Sequence, residues 1–212
     1  MQAKLALWQS KRLIHTHQDF YHDYRYHTGL QFLFNDLYSH QDFSERDRDL
    51  ERIFPKLVKL LPSKVLDTVS IMVELNLLTQ QLDQALCEQL AKRTDGHITP
   101  EAYCSAYQAC DNQADRQRQL SLVHEAGLKL ERYAHSQTIM FALRISEGPA
   151  EMAGLSALYN FLKRGFSAFH SMQDVAILME TIVQREHALL QQIFDGLIPN
   201  TFTSFIPEQS HD

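Results

Sequence analysis

From Ser63 to Arg93 the chain carries neither glycine nor proline. An uninterrupted stretch of 31 residues is far longer than any ordinary strand and predicts an α-helix of roughly 45 Å, at about 1.5 Å of rise per residue. Its middle, Ile71-Met72-Val73-Glu74-Leu75-Asn76-Leu77-Leu78, is apolar over most of its circumference. Asp67, Glu74, Gln81 and Glu88 recur at intervals of seven and mark the wet side. A helix of this kind is expected at the centre of a bundle, packed by its neighbours.

The rest of the chain supports the same class. Only 7 Gly and 6 Pro occur in 212 residues, too few for a β-sandwich or a glycine-rich nucleotide fold. Apolar spacings of three and four predict helices over 3–28, with Leu13, His17, Phe20 and Tyr24 on one face, and over 30–37, with Gly29 as a kink or end between them. Ser44 and Asp47 read as the start of another helix, broken near Pro55. Thr99-Pro100 is a start signal for 100–110. Further helices are expected over 113–135, 137–146, 149–170 and 174–195, with Glu147-Gly148-Pro149 as a turn. The expectation is an all-α, single-domain bundle of about seven to nine helices over 1–198, with a long central helix at 63–93, followed by a polar, extended or flexible tail over 199–212.

Charge removes several functions. A net charge of −6 with no long Lys/Arg cluster argues against nucleic acid and against a polybasic membrane contact. No run approaches the roughly 20 apolar residues of a spanning helix. Cys87, Cys104 and Cys110 are odd in number and lack CxxC spacing, so they are expected to be reduced, in a cytoplasmic protein.

A dense aromatic block, Phe32-Leu33-Phe34-Asn35-Asp36-Leu37-Tyr38, is followed by an acid–arginine run from Asp42-Phe43-Ser44-Glu45-Arg46-Asp47-Arg48-Asp49-Leu50 to Arg52. With Gly165-Phe166-Ser167-Ala168-Phe169 and Thr181-Ile182-Val183-Gln184-Arg185-Glu186, this pattern resembles a family of bacterial proteins of unknown function. The resemblance covers about residues 20–195 and implies a single all-helical unit of bacterial cytoplasmic origin. It brings no activity with it.

Two constellations invite chemistry. On one helix, His15, Asp19 and His22 fall at i, i+4 and i+7, a spacing at which imidazole and carboxylate could share a divalent metal. The alternative is a solvated polar face, and His17, on the apolar stripe, is expected to be a hydrogen-bonded core histidine. On the last helix, Val175, Met179, Ile182, Leu189 and Ile193 define an apolar face on which Glu186 also falls, with His187 beside it. A carboxyl group there is either perturbed for chemistry or paired with an arginine that fixes the helix register. The expected partner is Arg46, Arg48 or Arg52, with Asp36, Tyr38, Asp47 and Asp49 completing a structural or interaction surface. The run could equally be a solvated face whose charges pair among themselves.

Catalytic signatures are missing. There is no Gly-x-Ser-x-Gly, no Walker-type loop and no Gly-x-Gly-x-x-Gly. A ferritin-like di-iron site uses Glu-x-x-His pairs on separate helices, and here only Asp19-x-x-His22 approximates one within the helical part. The expected function is therefore a non-enzymatic, protein-binding or regulatory helical module that associates with a protein partner or with itself, as a homodimer. No cofactor is expected. The competing reading is a metal- or haem-dependent oxidoreductase, of haem-oxygenase-like or di-iron type, using His15, Asp19, His22 and Glu186 with His187.

Overall fold

The computed structural model describes residues 1–34, 48–49, 51–53 and 63–204, and these contain helices and turns with no strand. In chain order the helices are α1 (Gln2–Thr16), α2 (Gln18–Tyr21), α3 (His27–Phe32), α4 (Ser63–Ala91), α5 (Pro100–Ala109), α6 (Gln113–Ala134), α7 (Gln137–Ile145), α8 (Glu147–Met152), α9 (Ser156–Ser171), α10 (Val175–Phe194) and α11 (Asn200–Thr203). Residues 48–49 and 51–53 are helical as well. The protein is a single all-α unit with one long helix, α4.

The glycine- and proline-free stretch folds as expected, and Asp67, Glu74, Gln81 and Glu88 are all exposed. Its burial is uneven. Leu82, Leu86, Cys87 and Leu90 near the C-terminal end are core residues, whereas Val73 and Leu77 in the apolar middle face water. The Thr99 hydroxyl accepts a hydrogen bond from the Ala102 amide and Pro100 occupies the first turn, so α5 starts where the cap signal placed it.

α6 is the hub, with α10 and α4 packed along it and α9 against its C-terminal part. Gly127 is what lets α10 lie close: a Cβ there would overlap the Met179 side chain. The core has two parts. One gathers Leu5, Trp8, Leu86, Leu90, Tyr103, Tyr107, Leu189, Ile193 and Phe202. The other gathers Leu13, Tyr26, Leu30, Phe32, Phe34, Phe169, Val175, Leu178 and Ile182. α1 and α10 run through both. Full burial of side chains this size contributes about 1.5–3 kcal/mol each.

Four expectations need correction. The helix over 3–28 is broken at His17, whose φ of −116° and ψ of 27° are not helical, and again before α3. Gly29 does not end a helix but lies within α3, against Met172. The helix over 149–170 is split into α8 and α9 by Gly154 at φ +65°, and Glu147-Gly148-Pro149 opens α8 rather than forming a turn. The tail is docked at its beginning: Phe202 is 1% exposed and meets the Trp8 ring edge-on at 5.7 Å. Residues 205–212 lie outside the described residues.

Candidate functional site

Glu186 sits on α10 one turn after Ile182 of one core part and just before Leu189 of the other. Its apolar neighbours on that face carry it into the seam between the two. On α1, Leu5, Trp8 and Arg12 follow the spacing of a buried stripe, so Arg12 enters the same seam from the other side. The Arg12 Nη1 group donates to Glu186 Oε1 at 2.5 Å and Oε2 at 2.6 Å. The break at His17 turns a fully buried imidazole toward the same carboxylate, with Nε2 at 3.0 Å from Oε1. A carboxylate only accepts, so His17 Nε2 carries the proton of that bond. His17 Nδ1, Arg12 Nε and the Thr16 hydroxyl are buried with no hydrogen-bond partner among the described residues.

Burial works against charge on Glu186, but the Arg12 guanidinium and the hydrogen bond from His17 outweigh it and hold the carboxyl down at about 2. The Arg12 pKa is raised, burial opposing and the Glu186 charge prevailing. Aromatic rings close the seam: the Arg12 guanidinium lies 5.7 Å from the Phe202 ring centre, and Trp8 stacks on Tyr103 at 4.1 Å.

A second buried arginine extends this layer. Arg116 of α6 donates from Nη2 to the Leu82 carbonyl at 3.1 Å and lies over the Tyr107 ring at 4.5 Å. Gln9 donates to Asp83 at 3.2 Å. Asp83 is pushed up, chiefly by burial, with the Gln9 bond and the Arg116 charge pulling the other way. Burial likewise raises the Tyr103 and Tyr107 phenols, and drives the Cys104 thiol up to about 12.

Chemically this is a locked arrangement. A carboxylate ionised down to about 2 is a poor general base, and the buried phenols and thiols are held in their neutral forms. The clefts beside Asp19–Arg25 and beside Leu128–His135 are open depressions in the surface. Among the described residues no group of three or more His, Cys, Asp or Glu side chains is placed to hold a metal ion.

The proposed ligands His15, Asp19 and His22 are not brought together. The break at His17 destroys their common helical face. His15 Nε2 is 3.1 Å from the Ser204 hydroxyl, Asp19 is held by Arg185 at 2.6 and 2.7 Å, and His22 Nδ1 donates to the Gln18 carbonyl. His187 is exposed.

Among the described residues, Glu186 takes its arginine from α1, as Arg12. Asp36, Tyr38, Arg46 and Asp47 lie outside the described residues, and Arg48 is exposed. Arg52 reaches another element, but its targets are the carbonyls of Ala153 (2.9 Å) and Gly154 (2.7 Å) at the end of α8. Asp49 Oδ2 accepts from the Leu158 amide in the first turn of α9 at 3.4 Å. A cation at a helix C-terminus and an anion at an N-terminus both suit the local dipoles, so this pair bridges the α8–α9 break.

Sequence reasoning passed over Arg12 and Arg116. The signal was available: Arg12 is seven residues after Leu5 and four after Trp8, and Arg116 extends the Leu120/Val123/Gly127 stripe of α6 by one turn.

Fold and site together define an all-α protein with a buried arginine–carboxylate–histidine cluster at the junction of its two core parts. The chain belongs to the family described as Domain of unknown function (DUF8198), whose model matches residues 1–198. This agrees with the resemblance carried by its motifs. No curated protein and no solved structure matches it.

Proposed function

We propose that this chain is a non-enzymatic, self-associating interaction module, with the Arg12–Glu186–His17 cluster as an internal brace and the face of α7 as its contact surface. The observation that carries this reading is the state of α7. Its nine residues are mostly apolar, yet none is buried, and Phe141 and Ile145, one turn apart, are 65% and 60% exposed. Met152 of α8 is 91% exposed. Apolar side chains concentrated in this way usually mark a place where another surface docks.

Charge favours a second copy. The chain is acidic overall, at −6, but α7 carries a single charge, Arg144, and the carboxylate of neighbouring Glu147 is bound by Lys163 at 2.8 Å. Two copies could meet through α7 about a two-fold axis without bringing their carboxylates together. The small residues Ala150, Ala153, Gly154, Ser156 and Ala157 have no part in this, because they straddle the α8–α9 break. The same reading places the protein in the cytoplasm with its thiols reduced, and gives it no nucleic-acid partner. Among the described residues no helix is long and apolar enough to cross a membrane.

Sedimentation velocity across the micromolar range tests the proposal. The wild-type chain should shift from monomer to dimer, and a Phe141→Asp/Ile145→Asp variant should remain monomeric with an unchanged helical spectrum. A wild-type chain that stays monomeric throughout, or a variant that dimerises equally well, would overturn it.

A further inference from the structure

At the junction of α6 and α9 two histidines lie side by side. His135 caps the C-terminus of α6, and His170 lies in the last turn of α9. Their ring centres are 5.4 Å apart with planes inclined at 39°. The Nδ1 of His170 is 2.8 Å from the Ala134 carbonyl, and the Nδ1 of His135 is 3.0 Å from the Glu131 carbonyl. A carbonyl oxygen only accepts, so each Nδ1 is the protonated nitrogen. In the neutral ring, each Nε2 then presents its lone pair. Anchoring one ring nitrogen on a backbone carbonyl is how metal-binding histidines are usually fixed in tautomer and orientation.

The separation suits a shared ion. With metal–nitrogen bonds of about 2.0–2.1 Å, two imidazoles on one tetrahedral centre have ring centres about 5 Å apart. The ring-centre spacing of 5.4 Å here is close to that value. The electrostatics also suit a cation, because both rings stand at helix C-termini, where carbonyl dipoles leave partial negative charge. Both side chains are exposed, so water can reach the ion and complete its coordination. Arg132, which lines the neighbouring cleft with Glu131, is the opposing charge.

We infer that Nε2 of His135 and Nε2 of His170 together bind one borderline divalent transition ion, of the Cu(II), Ni(II) or Zn(II) class, pinning the end of α9 to the end of α6. An all-imidazole donor pair with water selects ions of this kind over calcium or magnesium, and Cu(II) binds tightest.

The test uses the full-length chain without a histidine tag, titrated calorimetrically with Cu(II) and with Zn(II), and examined by electron paramagnetic resonance in the copper form. One site at this junction with nitrogen hyperfine structure from imidazole is expected, with Zn(II) raising the thermal midpoint by preferential binding to the folded chain. His135→Ala and His170→Ala should each weaken this site by about tenfold or more, a loss of the size usual for metal-site residues. His170→Asn separates the ligand role from the cap: its amide N–H lies where Nδ1 was and can still serve the Ala134 carbonyl, so the fold is kept while the imidazole is lost. His22→Ala should leave the junction site unchanged. Absence of binding by the wild-type chain, or wild-type affinity in both His135→Ala and His170→Asn, would overturn the assignment.

Discussion

Arg12 and Glu186 are 174 residues apart in sequence, yet one guanidinium nitrogen contacts both oxygens of the carboxylate, at 2.5 and 2.6 Å. The side chains are 10% and 13% exposed. The pair ties the first helix to the last long one at the point where the two core parts meet. An ion pair this dry is not a gain over well-packed apolar side chains, but losing half of it is costly.

Glu186→Gln leaves the Arg12 charge buried without its counter-ion. The variant is expected to lose about 3–5 kcal/mol, the usual cost of stranding one partner of a buried pair. Urea denaturation followed by circular dichroism checks this through the midpoint at constant slope.

Acid should act through the same carboxyl group. Its folded pKa is about 2, against an ordinary 4.5, so its stabilising contribution is complete above 4.5 and is lost as pH falls from there toward 2. Asp19, held low chiefly by its hydrogen bond from Arg185, adds in the same direction. Thermal midpoints measured across this window should fall steeply for the wild-type chain and less steeply for Glu186→Gln.

Asp83 has the opposite sign. Its folded pKa is raised, mainly by burial, so stability is lost as pH rises through that value and the ionised form is a burden at neutral pH. Asp83→Asn keeps an oxygen to accept from Gln9 and removes the charge. It is expected to raise the thermal midpoint at neutral pH and to leave it nearly unchanged in acid, which differential scanning calorimetry would read directly.

Phe202 packs on Trp8 and Tyr103 although it lies beyond the 1–198 stretch that matches the family. Phe202→Ala is expected to cost about 3–5 kcal/mol, as for other buried aromatics. Ending the chain at Ile198 should cost at least as much. Equilibrium unfolding of both variants checks whether α11 belongs to the folded unit.

Much of the helical architecture could be read from sequence because its signals are local. Glycine and proline placement delimited α4, the Thr99-Pro100 pair opened α5, and the apolar stripe of α10 put Glu186 inward. The break at His17 was not legible, since no glycine or proline marks it; there the chain gives up helical geometry, and a buried imidazole meets Glu186. The partner of Glu186 was equally hidden. Charge density drew attention to the arginines at 46–52, whereas the partner is a lone arginine on an apolar stripe. A stripe shows that a residue is buried, but not which helix lies across from it.

The most direct measurement is a double-mutant cycle in urea between Arg12→Met and Glu186→Leu. Each single replacement strands a buried charge, while the double replacement removes both and leaves an apolar seam. The two single costs should therefore exceed the cost of the pair by about 2 kcal/mol or more. Costs that add to within about 0.5 kcal/mol would contradict the account, because residues that do not interact behave that way.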